Sequence, residues 1–145
     1  MKSTISIIIF SLVLLTACSS QPQPFVVGKD DCTVCKMGVA DLKYGGEIIT
    51  KKGKYYKFDD LRCMMTFIKT TTLEEKDIAR TLTINFNKPN EFVDVNNAWF
   101  AVSPDLRSPM GSNAAGLATK EEAEKLKGST GQLLSWNDLL KGVNK

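Results

Sequence analysis

A cationic start, Met1-Lys2, and an apolar run from Ile5 to Ala17 that stops at Cys18 decide where the rest of this chain folds. The run is short for a membrane-spanning helix, which needs about 20 apolar residues, and it matches the core of an export signal. It belongs to targeting and not to fold. Ser19 to Pro24 then reads as a polar tether. Residues 18–145 amount to one ordinary domain with enough chain to bury a core. The expected organisation is a signal segment over 1–17, a tether over 18–28 and a single domain over 29–145.

Leu15-Thr16-Ala17-Cys18 resembles the lipobox of bacterial lipoproteins, in which small residues precede a cysteine that is diacylated and becomes the new N-terminus. It predicts a lipid on Cys18 and a domain held to a membrane on its periplasmic side, inner or outer undecided. The other readings of this segment are an ordinary cleaved signal and an uncleaved anchor helix. Charge adds little: 19 Lys plus Arg face 16 Asp plus Glu, which argues for neither a nucleic-acid partner nor an acidic one. Histidine is absent altogether. That removes the commonest general base, the Ser-His and Cys-His nucleophile pairs and the imidazole metal sites, so most enzyme hypotheses fall and a non-enzyme is expected.

The cysteines are sharper. With Cys18 committed to lipid, Cys32, Cys35 and Cys63 remain, an odd number for an exported chain that would otherwise pair them. Around them the residue pattern predicts an α+β domain. Glu47–Thr50 and Tyr55–Phe58 read as strands joined by a Lys51-Lys52-Gly53-Lys54 turn. Asp59 or Asp60 can cap a helix whose apolar positions Leu61, Met64, Met65 and Ile68 recur at i, i+3, i+4 and i+7. Thr81–Phe86 alternates as a half-buried strand. The order then repeats, with strands at Phe92–Val95 and Ala98–Val102, a helix behind the Thr119/Glu122 capping box and closed by Gly128, a strand at Gln132–Trp136, and a short helix capped by Asn137 and running through Leu140. Two ββαβ halves result. Between Val102 and Lys120 lies a long loop, Ser103 to Thr119, that carries Met110; loops of that length inside a domain tend to be functional or disordered.

The donors in this inventory are soft. Copper(I) prefers thiolate and thioether and is satisfied by two or three of them, whereas zinc usually takes four ligands from Cys and His. Cys32, Cys35 and Met37 form a C-x-x-C-x-M cluster on an irregular segment, and Met110 sits in a Pro-Met-Gly-Ser loop where no periodicity asks for it. These four are the candidate ligands. Cys63 is a weaker one, since it lies one position off the apolar stripe and is as well explained by burial. Met64 and Met65 lie on the stripe and read as core. A plain Cys32–Cys35 disulfide is the bland alternative.

Asp31-Cys32-Thr33-Val34-Cys35-Lys36-Met37, then Phe58-Asp59-Asp60-Leu61-Arg62-Cys63-Met64, then Ser108-Pro109-Met110-Gly111-Ser112, in that order behind a lipobox, resemble the NosL family. The resemblance implies a lipoprotein copper chaperone for the maturation of nitrous-oxide reductase. It further implies one copper(I) per chain, held by first-block cysteine and third-block methionine, on a fold similar to organomercurial lyase. Lys36 departs from the family, which has glycine there; a bulky cation restricts the turn, while its charge favours neighbouring thiolates.

Two other classes stay open. A thiol-disulfide oxidoreductase would use Cys32 and Cys35, although no helical pattern follows them as a thioredoxin-like motif requires. An organomercurial-lyase-like enzyme would pair Cys32 or Cys63 with Asp59 or Asp60. A structural lipoprotein with one disulfide is the third possibility.

Overall fold

A computed structural model describes residues 20–142. The segment expected as an export signal, and Cys18, lie outside the described residues. Two antiparallel sheets and three helices make a mixed α/β domain. The first sheet has the order β2-β1-β3-β4, formed by β1 (Gly46–Thr50), β2 (Tyr55–Phe58), β3 (Ile78–Asn85) and β4 (Lys88–Asp94). The second has the order β6-β5-β7, formed by β5 (Trp99–Val102), β6 (Ala114–Leu117) and β7 (Gln132–Leu134). Helix α1 (Leu61–Thr70) joins β2 to β3, α2 (Lys120–Lys127) joins β6 to β7, and α3 (Trp136–Gly142) closes the described chain. In each sheet the first strand is central, its hairpin partner lies on one side and the strand after the helix on the other. The halves are therefore β1-β2-α1-β3 and β5-β6-α2-β7.

The composition of the second half differs from expectation. Phe92–Val95 does not open it; Phe92 to Asp94 belong to β4, which pairs with β3 and adds an edge to the first sheet. Pro89 sits in β4, where an edge strand tolerates a residue with no N–H to give. The strand that replaces it is β6, inside the segment expected to be loop. Its residues, Ala114-Ala115-Gly116-Leu117, are all buried. Gly116 is required because a Cβ there would lie within bonding-like distance of Thr83 on β3, and its carbonyl accepts the N–H of Phe86 at 2.9 Å. The two sheets meet at this point.

Local signals explain the helices. Asp60 caps α1, its Oδ1 accepting the Arg62 N–H at 2.8 Å. Leu61, Met64 and Met65 are buried and Ile68 is half-buried, so the apolar stripe faces the first sheet as its spacing requires. Phe67 stacks at 4.7 Å from Tyr56 and 5.3 Å from Phe58, tying the helix to β2. Thr119 and Glu122 make the expected capping interaction on α2, and Gly128 ends it at φ 64°. On α3 the capping residue is Ser135, whose Oγ bonds Asp138 at 2.6 Å; Asn137 lies inside the helix, and β7 stops at Leu134.

The segment expected as tether is partly structural. The Tyr55 hydroxyl donates to Gln21 O, Gln23 N–H donates to Glu47, Lys57 Nζ donates to Pro24 O, and Phe25 exchanges two hydrogen bonds with the Asn90 side chain. Phe25 is buried with Val39 and Ile84. This strap covers the face of the first sheet opposite α1, which is why all five residues of β1 are buried. Among the described residues no helix is long and apolar enough to cross a membrane.

Candidate metal centre

The sulfur-bearing segment is a closed loop and not the start of a helix. Asp31 and Gly38 form an antiparallel bridge, Cys32 N–H donates to Met37 O at 2.9 Å, and Lys36 N–H returns to Cys32 O at 3.0 Å. Thr33 N–H donates to Lys57 O at 2.8 Å and fastens the loop to β2. Lys36 takes φ 62°, the left-handed conformation that glycine adopts without cost. Relief of that conformation is worth about 1–2 kcal/mol, against about 0.5–1 kcal/mol of extra unfolded-state entropy for glycine. Lys36→Gly is therefore expected to stabilise the fold by roughly 0.5–1 kcal/mol, and a lower urea midpoint for the variant would count against strain at this turn.

The loop delivers two thiols to the N-terminal end of α1, where a third waits. Donor atoms of Cys32, Cys35, Cys63 and Asp59 all lie within 4.8 Å of one another. Cys32, Cys63 and Asp59 are buried, and Cys35 alone of the four is partly exposed, which makes it the door to the cluster. Asp59 oxygens stand 3.6 and 3.7 Å from Cys35 Sγ. The three cysteines are unbridged. Burial pushes the Cys63 thiol up, with Cys32, Asp59 and Cys35 adding to the effect. Burial likewise raises Cys35, reinforced by Cys32 and Asp59 and opposed by the Met37 backbone N–H. Metal entry at such a cluster displaces protons, so binding tightens as pH rises.

The other expected ligands are placed differently. Met110 is half-buried against the same core group that contains Cys32, Cys63 and Met64. Its N–H donates to Asp60 Oδ2 at 2.7 Å, and Arg62 Nη2 donates to Gly111 O at 3.0 Å. Asp60 thus joins the cap of α1 to the loop that carries Met110. Met37 supplies backbone to the turn but its side chain is 48% exposed. Met64 and Met65 are core, as their spacing requires. Cys63 enters the cluster on equal terms with the first-block cysteines. Asp59 was legible only as a helix cap or a lyase carboxylate; the residue before the true cap, four positions ahead of a cysteine on a helix, was the available signal.

Three thiols and a carboxylate gathered on a loop and a helix start, with no histidine, define a candidate metal-binding domain. The NosL family model matches residues 25–143, and the chain belongs to the NosL family. Its fold matches the crystal structure of the copper chaperone NosL from Shewanella denitrificans with a TM-score of 0.69 at 22% identity, covering 83% of this chain and 96% of that one. Comparison with curated protein sequences finds no match.

Proposed function

We propose that this chain is a membrane-anchored carrier, not an enzyme, that binds one copper(I) and hands it to a periplasmic copper protein, nitrous-oxide reductase being the acceptor the family suggests. The observation that carries the reading is the convergence of Cys32, Cys35 and Cys63 in a chain without histidine. Thiolates supply affinity for a soft monovalent ion, and the Met110 thioether, a neutral and weaker donor on a loop, is the ligand that an acceptor displaces. Exchange of one sulfur for another moves the ion without releasing it. Met37, exposed beside the cluster, offers a soft donor at the surface where an acceptor would meet the ion. The likeness to organomercurial lyase in the doubled ββαβ topology belongs to the same reading.

Competition of the purified, reduced protein against a copper(I) chelator under anaerobic conditions tests it. One copper per chain is expected. A stoichiometry near zero removes the carrier reading and leaves a structural domain.

The anchor has its own test. Cys18→Ala is expected to release the protein from membranes or block its processing, without changing the melting temperature of the domain, because the residue precedes the docked strap. Fractionation that finds variant and parent equally membrane-bound excludes lipid at Cys18.

A further inference from the structure

The fold has a cationic feature that the metal centre leaves unused. The Lys51-Lys52-Gly53-Lys54 turn joins β1 to β2 and is closed by Thr50 N–H to Lys54 O and Gly53 N–H to Thr50 O, each 2.9 Å. All three lysines are exposed, and none takes part in the ion pairs found among the described residues. A Cβ on Gly53 would meet nothing within 4 Å, so the tip projects into open space. Lys54 Nζ rests 4.6 Å from the Tyr56 ring centre, whose face holds the cation beside the turn. Acids oppose part of this charge. Asp77 accepts the Lys51 N–H at 2.8 Å through its backbone carbonyl, which brings its carboxylate and that of Glu75 near the tip. Glu74 is already paired with Lys76 at 2.7 Å. Three lysines against two free carboxylates leave the tip cationic.

The strap gives this charge a partner. Tyr55 follows the tip directly and its hydroxyl donates to Gln21 O at 3.1 Å, while two residues further on Lys57 Nζ donates to Pro24 O at 3.0 Å. The strap therefore runs along β2 with its earlier end at the tip. Three residue steps, roughly 10 Å of chain, separate Gln21 from Cys18. A lipid there fixes a point and not an orientation. Lysines beside it make a second contact, since anionic headgroups attract basic side chains within about a Debye length, 8–10 Å. The thiol cluster begins at the other end of the same strand. Asp59 follows Phe58 and lies about 13 Å from Tyr55 at 3.3 Å per residue.

We propose that the Lys51-Lys52-Gly53-Lys54 tip is a second membrane contact, docking on anionic phospholipid headgroups beside the Cys18 lipid and turning the thiol cluster away from the bilayer. The lipid holds the domain at the surface and the lysines decide which end faces down. The proposal rests on the lipid at Cys18 for the nearness of a bilayer, and the experiment separates the two.

The full lipid-bearing chain is mixed with vesicles of phosphatidylcholine, or of phosphatidylcholine with phosphatidylglycerol, and followed by flotation and by amide hydrogen exchange. The parent should float with both. Exchange across Lys51 to Tyr55 is expected to slow by roughly tenfold on the anionic vesicles relative to the neutral ones. It should recover in about 1 M salt, where the Debye length is about 3 Å. Thr33 to Met37, at the far end, should exchange alike on both. A variant combining Lys51→Gln, Lys52→Gln and Lys54→Gln, melting as the parent does, should float with both vesicles and show no difference at the tip between them. Flotation of the parent with both vesicles and equal tip exchange on the two keeps the lipid and overturns the lysine contact. Slowing at Thr33 to Met37 in place of the tip overturns the orientation. Flotation with the anionic vesicles alone, the tip being protected there, supports the lysine contact and defeats the lipid. Flotation with neither overturns both.

Discussion

Cys32→Ala and Cys35→Ala are each expected to weaken copper(I) binding by more than the roughly 10–100-fold that loss of an outer-shell partner costs, because each removes an anionic donor from the ion itself. Met110→Ala should weaken it less, since the thioether is neutral and the Asp60 hydrogen bond to the Met110 backbone keeps the loop in place. Met64→Ala supplies the contrast. That side chain is fully buried against β1, where a Cβ on Gly46 would stand 2.9 Å from its sulfur. Its truncation should cost about 2–5 kcal/mol of stability and leave copper affinity near the parent value. Chelator competition and melting of the metal-free forms measure the two quantities separately. Parental copper binding in Met110→Ala combined with loss in Met64→Ala would move the site onto the helix face and refute the ligand set.

The second large effect concerns pH. Glu47 is fully buried on β1, with its Oε2 accepting the Gln23 N–H at 3.1 Å and its Oε1 without a partner among the described residues. Burial raises its pKa from 4.5 to about 7, against the pull of the Gln23 N–H, Lys57 and Arg80 and with the help of Asp30. Between about pH 4.5 and 7 the folded chain keeps a proton that the unfolded chain has released, so stability falls as pH rises through that window. The full loss is about 3 kcal/mol at 1.36 kcal/mol per pKa unit. Glu47→Gln, which carries no charge at any pH, should flatten the slope: close to the parent near pH 4.5 and more stable by about 2–3 kcal/mol at pH 8. Chemical denaturation at several pH values decides it, and parallel pH curves for the two proteins would show that Glu47 is not the group responsible.

Where the sequence was legible, local rules and tertiary context agreed. The Tyr55–Phe58 strand, the α1 stripe and the capping pair on α2 fall where their patterns put them, because hydrophobic spacing and caps are satisfied within a few residues. β6 was hidden because its value lies in what it lacks. Ala-Ala-Gly has weak strand preference, yet only a residue without a Cβ at position 116 lets the second sheet close on Thr83. β4 starts four residues before the strand expected at Phe92, and Pro89, whose missing N–H is harmless on an edge, disguises that start. The strap reads as a tether because Gln21-Pro22-Gln23-Pro24 is polar and proline-rich; Phe25 was the sign that it docks. In the candidate metal centre, Cys63 looked like core because it flanks an apolar stripe, and it is indeed buried. Burial and membership in the cluster coincide there, and only the fold of the Cys32–Cys35 loop over the α1 terminus tells them apart.

The strap also fixes a distance. Gln21 is already hydrogen-bonded to Tyr55 on the sheet, and only Ser19 and Ser20 stand between it and Cys18. At about 3.3–3.6 Å per residue, those three steps allow roughly 10 Å of reach. With the proposed lipid on Cys18, the domain is a moored body and not a tethered float: the point where Gln21 meets the sheet stays within that reach of the bilayer, and the Cys35 opening stays within a domain's width of it. An acceptor then has to find the donor by a search confined to a thin layer parallel to the membrane, with its own copper-receiving surface turned to that level.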